Sequence, residues 1–161
     1  MTKKIDSLIN QQLSALLQQE KNTIGNLANA SALLFGALED VNWCGFYLYN
    51  KVHDELVLGP FQGKVACMHI KNGNGVCGTA FKANKVLNVT DVHEFPGHIA
   101  CDSASNSELV IPISKNDQPF GVLDIDSPIL NRFGKDDEET LTKFVNVLTQ
   151  FIDIKLLNAL N

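Results

Sequence analysis

Thiols and carboxyl groups are the side chains of this sequence best able to do chemistry: thiolates attack electrophiles, ligate metals and exchange disulfides, and clustered carboxyl groups hold and release protons. The four cysteines are Cys44, Cys67, Cys77 and Cys101. Cys101 falls in Pro-Gly-His-Ile-Ala-Cys-Asp-Ser-Ala-Ser-Asn-Ser-Glu, residues 96–108, a run rich in residues that favour irregular backbone and set between two apolar segments. Two readings are open for it, a site held on a rigid scaffold or a long surface connection with an incidental thiol. As a reactive thiol Cys101 is preferred, because its loop offers backbone N–H groups and no bulky neighbours. Cys77 follows Gly73-Asn74-Gly75; a place at a helix start favours thiolate, although a helical residue can equally point into the core. Cys44 reads as a small buried hydrophobe. Cys67-Met68-His69 and His98-Ile99-Ala100-Cys101 also offer zinc ligands, but neither half has the paired spacing of structural zinc sites.

The carboxylates form a second group. Asp124 and Asp126 in Leu-Asp-Ile-Asp-Ser-Pro project to one face of a strand, and Glu108 opens the strand predicted to pair beside them. Solvated surface explains most acidic pairs, but Val122, Leu123 and Ile125 around these are apolar. In a pocket, repulsion and burial raise at least one pKa and leave a group able to hold a proton near neutral pH. Trp43 and Tyr47, on one face of the first strand, either wall such a pocket or belong to the core.

The elements that position these groups follow from periodicity. Leu8, Ile9, Leu13, Leu16 and Leu17 predict an amphipathic helix between Ser7 and Glu20, with an apolar face that permits a homodimer. A second helix runs from about Thr23 to Leu38, capped by Asn22 or Thr23. Strands are predicted from Trp43 to Tyr49, Glu55 to Phe61, Val65 to Ile70, Val86 to Val89, Leu109 to Ile113 and Phe120 to Ile125. A short helix spans Val76 to Lys82. The last helix, about 136–159, begins with a capping box of Asp136 and Glu139 and keeps one apolar face through Leu156. The class is α+β: helices at about 7–38 and 136–159 pack on a sheet, with site loops, at about 42–128.

Length and composition bound the rest. A chain of 161 residues, 45% hydrophobic and 19% charged, reads as one globular domain, 1–161, without a membrane span or an export signal; the default compartment is the cytoplasm. The net charge of −5 and the single arginine, Arg132, argue against a nucleic-acid partner. Cysteines in such a chain are thiols, ligands or redox groups before they are structural disulfides.

Leu-Gly-Pro-Phe-Gln-Gly at 58–63, Ala-Cys at 66–67, Gly-Val-Cys-Gly-Thr-Ala at 75–80, Asp-Val-His at 91–93, Phe95 through Glu108, and Gly-Val-Leu-Asp-Ile-Asp-Ser-Pro at 121–128 closely resemble the free methionine-(R)-sulfoxide reductases, single-domain proteins of the GAF fold. The resemblance implies a six-stranded antiparallel sheet and thiol-dependent reduction of free methionine (R)-sulfoxide, through a sulfenic acid and an intramolecular disulfide. It implies Cys101 as nucleophile, Cys67 as resolving thiol and Cys77 as a third thiol able to resolve. Glu108, Asp124 and Asp126 fall on the family's acidic pocket, and Trp43 and Tyr47 on its aromatic wall. Glu108 or Asp126 then supplies the proton, the other carboxylates face the substrate ammonium, and N–H groups of the 98–101 loop, Ile99 and Ala100 among them, receive its carboxylate. The expected reductant is thioredoxin or another dithiol, with no bound cofactor and no metal. The rival function is a GAF-type module that senses a small ligand for an attached effector.

Overall fold

The computed structural model describes residues 4–160; Met1, Thr2 and Lys3 of the lysine-bearing N-terminus, and Asn161, lie outside the described residues. Two helices come first, α1 (Leu8–Leu17) and α2 (Thr23–Ala37), followed by β1 (Trp43–Asn50), β2 (Glu55–Gly63), β3 (His69–Lys71), α3 (Gly75–Ala83) and β4 (Leu87–Val89). A long connection leads to β5 (Ser107–Lys115), β6 (Gln118–Ser127), α4 (Lys135–Leu148) and α5 (Ile154–Leu160). The six strands form one sheet in the order β3-β2-β1-β6-β5-β4, antiparallel at every pairing. This is the expected α+β architecture.

Both faces of the sheet are covered, so its central strands read as continuous apolar runs rather than as strict alternation. Cys44, Phe46, Leu48, Leu109, Ile111, Ile113, Leu123 and Ile125 join the core built with α1, α2 and α4. The alternate residues, Trp43, Tyr47, Val110 and Val122, join a second cluster with Val76, Cys77, Ala80 and Phe81 of α3. Parity along β1 thus sends Cys44 to one side and the aromatic pair to the other, and Cys44 is a buried core thiol as expected. Between the aromatics a side chain is excluded: a Cβ at Gly45 would lie 2.2 Å from the Phe61 Cβ. Phe61 fills that space and stacks on Trp43 with ring centroids 5.1 Å apart.

The helices differ from expectation in three places. On α1 the buried stripe is Ile9, Leu13 and Leu17, whereas Leu8 and Leu16 are exposed; five apolar residues in ten cover more arc than one partner face. The α4 start is capped by Asp137, whose Oδ2 accepts the Gly134 N–H at 3.0 Å, and not by Asp136 with Glu139, because Asp136 is turned to Lys4. Finally, the long C-terminal helix is broken. A short 3₁₀ turn follows α4 at Thr149–Phe151 and Ile152 is extended. There the Phe151 carbonyl accepts from Asn26 Nδ2 at 3.0 Å, the Asp153 N–H donates to Thr23 Oγ1 at 2.9 Å, and the Asp153 carboxylate caps α5 through Lys155 N–H at 2.9 Å. Bonds to α2 replace the helical ladder, an exchange that periodicity cannot reveal. Asn22 does cap α2, accepting from Gly25 N–H at 2.9 Å.

The predicted third strand is the other correction. Val65 to Cys67 leave the sheet; the Met68 carbonyl accepts from Leu58 N–H of β2 at 3.0 Å, and the strand proper begins at His69. Those residues form a loop over the end of β1, and that loop carries Cys67.

Candidate active site

The strand register gathers the carboxyls. Glu108 on β5 lies opposite Asp126 on β6, and Val110 opposite Asp124, so the three acids share the face covered by α3. They line a partly open pocket together with Trp43, Tyr47, Cys77, His98, Ile99 and Cys101. Glu108 and Asp124 are buried, and Asp126 is half-buried. Burial, then the charge of Asp126, pushes the Glu108 carboxyl up to about 8. Burial also raises Asp124, with Glu108 adding repulsion, and raises Asp126, with Asp124 adding repulsion. Asp124 Oδ1 is buried without a hydrogen-bond partner, a costly arrangement that calls for a cationic or donor group in the pocket.

Two loops bring thiols to the pocket mouth. Cys67 and Cys101, 34 residues apart in sequence, are joined in a disulfide with Cα atoms 5.6 Å apart. The Cys67 loop is held from below by the polar ends of the aromatic pair: Trp43 Nε1 donates to the Lys64 carbonyl at 3.2 Å and Tyr47 Oη to the Cys67 carbonyl at 2.9 Å. Their rings stack at 5.8 Å, so both wall the pocket and anchor the loop. The sequence reading has only the first of these roles.

The Cys101 loop is tied by residues that sequence reasoning missed. Asn42 donates its amide to Asp102 Oδ2 at 3.2 Å and to Ser105 Oγ at 3.1 Å, and the Asn106 N–H donates to the Ser127 carbonyl at 2.7 Å. A Ser, Asp and Asn run was the available signal, since such side chains often bond local backbone, but a partner as distant as Asn42 leaves no local trace. Inside the loop the His98 and Cys101 N–H groups are already bonded, to Phe95 and Ile99 carbonyls. Among the described residues the Ile99 and Ala100 N–H groups have no backbone acceptor; Ile99 lines the pocket, whereas Ala100 is exposed and does not. Ile99 packs beside Gly75, where φ is +62° and a Cβ would come within 3.1 Å of it.

Cys77 lies on α3 but is buried, with Sγ 3.7 Å from Glu108 Oε1. Burial, then the Asp124 charge, pushes its thiol well up, so the helix start does not make it a thiolate. The zinc grouping considered from sequence is not assembled: Cys67 and Cys101 bond each other, and His69 Nδ1 lies 2.9 Å from Glu55 Oε1. Arg132 is buried against Asp137, at 3.1 Å, and takes no part in the pocket lining.

A six-stranded sheet with flanking helices and a pocket under its connecting loops is the architecture of a GAF domain; the GAF domain model matches residues 13–152, and the chain belongs to that family. It is 51% identical over 144 residues to the free methionine-R-sulfoxide reductase of Escherichia coli (strain K12), which covers 89% of this chain and 86% of the relative. The fRMsr of Staphylococcus aureus in its reduced form is 45% identical and superposes with a TM-score of 0.90 over 95% of this chain and 99% of that one. In its complex with substrate the same protein gives a TM-score of 0.88 with the same identity and coverage. Within the GAF domains, the chain is a member of the free methionine-(R)-sulfoxide reductase family.

Proposed function

We propose that this protein reduces free methionine (R)-sulfoxide to methionine, with Cys101 as nucleophile, Cys67 as resolving thiol and a thioredoxin-type dithiol as reductant. One observation carries the reading: a Cys67–Cys101 disulfide at the mouth of a pocket lined by Glu108, Asp124 and Asp126, where burial pushes the Glu108 carboxyl up to about 8. The E. coli relative named for this activity, and the S. aureus structure with substrate, support the substrate class.

The Cys101 thiolate attacks the sulfoxide sulfur while Glu108 or Asp126 gives the oxygen a proton, since expelling an unprotonated oxide is costly. Oxygen passes to Cys101 as sulfenic acid and methionine leaves. The Cys67 thiol then attacks that sulfur, the disulfide forms and water departs. An external dithiol returns both thiols and is itself oxidised. The substrate ammonium faces the unpartnered Asp124 oxygen; its carboxylate takes the N–H of Ile99, which lines the pocket, whereas Ala100 lies outside the lining. N-acetylated methionine sulfoxide, lacking that cation, reacts far less.

The test is methionine formation from the free R-sulfoxide with dithiothreitol, and with thioredoxin and its reductase. In single turnovers of prereduced protein, Cys101→Ser makes no methionine; Cys67→Ser makes about one per protein and keeps a trappable sulfenic acid on Cys101, unless Cys77 replaces it. A stoichiometric burst from Cys101→Ser with none from Cys67→Ser would reverse the two roles.

A further inference from the structure

We propose that the base of this pocket is also a site for a zinc-class divalent cation, held by Cys77, Glu108, Asp124 and His98, and that the bound ion excludes substrate. Sγ of Cys77 and one carboxylate oxygen each of Glu108 and Asp124 lie within 4.8 Å of one another, and all three residues are buried. Glu108 stands at the centre, with Oε1 3.7 Å from Cys77 Sγ and Oε2 3.7 Å from His98 Nε2. Tetrahedral zinc with ligand bonds of roughly 2.0–2.3 Å has ligand-to-ligand edges of about 3.5 Å, which the Cys77, Glu108 and Asp124 atoms approach; His98 stands outside that group, beside Glu108 Oε2, and its ring turns inward to become the fourth ligand.

A separate observation asks for a cation there. Asp124 is 6% exposed and its Oδ1 has no hydrogen-bond partner among the described residues. Two carboxylates alone would suit many hard cations, but a thiolate and an imidazole beside them select a borderline-soft ion such as Zn²⁺. Binding displaces to solvent the Cys77 proton and those that the raised carboxyls of Glu108 and Asp124 carry, so the ion binds more tightly as pH rises. None of the four ligands belongs to the Cys67–Cys101 disulfide, so the ion binds the oxidised protein as well as the reduced one. Only the exclusion of substrate rests on the reductase reading, because the ion takes the carboxylates assigned to the ammonium.

The probe is Co²⁺ titrated into oxidised protein, where Cys67 and Cys101 cannot ligate. One equivalent is expected to bind with a sulfur-to-cobalt charge-transfer band and the intense visible bands of tetrahedral cobalt, and Zn²⁺ displaces it. Cys77→Ser abolishes the charge-transfer band. Asp124→Asn and His98→Gln weaken binding by at least the roughly tenfold that even outer-sphere changes cost. A weak octahedral spectrum without the sulfur band, absence of saturable binding, or a band that persists in Cys77→Ser overturns the site. The reductase reading fails on different evidence, the absence of methionine formed by metal-free reduced protein, which leaves these spectra unchanged.

Discussion

In the proposed reaction Glu108 supplies chemistry that side-chain identity alone does not announce. Its proton is available because burial and Asp126 raise its carboxyl to about 8, so the acid form predominates at neutral pH and the reductase rate falls as pH rises through that value. Glu108→Gln and Asp126→Asn each lower turnover, by about 10²–10⁴-fold for whichever group supplies the proton, and Glu108→Gln also removes the alkaline limb near pH 8. Rate measurements with saturating substrate across pH check both, and near-normal rates in both variants would leave water as the donor. The acid trio was legible in the sequence because two-residue spacing on β6 and pairing with β5 are simple geometry. The behaviour of Cys77 was not: a helix start is opposed at that sulfur by burial and by the neighbouring acids, Asp124 first, and only the folded structure decides which wins.

Among the elements, β1 does more than supply a pocket wall. Tyr47→Phe keeps the ring but loses the bond to the Cys67 carbonyl, 2.9 Å in the structure. A single hydrogen bond of this kind contributes about 1 kcal/mol. The expected result is slower disulfide closure with an undiminished first-turnover burst, read as a longer-lived sulfenic acid by mass spectrometry; unchanged closure would mean the bond does not position Cys67. Gly45→Ala tests the other side of that strand. Its new methyl would meet the Phe61 Cβ at 2.2 Å and Cα at 2.7 Å, contacts that only a backbone shift relieves. A loss of about 1–3 kcal/mol is expected in urea unfolding. Strand parity and the α2 cap could be read from the chain, whereas the Cys67 loop reads as strand from composition and the break before α5 depends on Asn26 and Thr23, more than a hundred residues away. Those are tertiary bonds, invisible to local pattern.

For the whole molecule, the buried acids impose a pH slope on stability. Glu108 moves from 4.5 to about 8 on folding, so between those values the native state keeps a proton that the unfolded chain has released. Stability therefore falls as pH rises through this window, by up to about 1.4 kcal/mol per pH unit for this one group. Asp124 and Asp126 act in the same direction, and His98, lowered by burial, acts in the opposite one below its ordinary value. Comparing Glu108→Gln with the parent by urea unfolding at pH 5 and 8 isolates the Glu108 share: the variant gains relative to the parent at the higher pH, and an unchanged difference would contradict the assignment. The disulfide has a consequence of another kind. It fastens the loop after β4 to the loop before β3, closing two otherwise separate crossings of the pocket mouth into one ring. Oxidised, neither loop can peel away alone; reduced, the segment around His98 to Cys101 is left with short internal bonds, the Asn42 tether, the His98 contact to Glu108 and the packing of Ile99 beside Gly75. Protease cutting within residues 95–104 should consequently speed up on reduction and slow again on oxidation, so that a gel of a timed digest reports how much of the protein carries the Cys67–Cys101 bond.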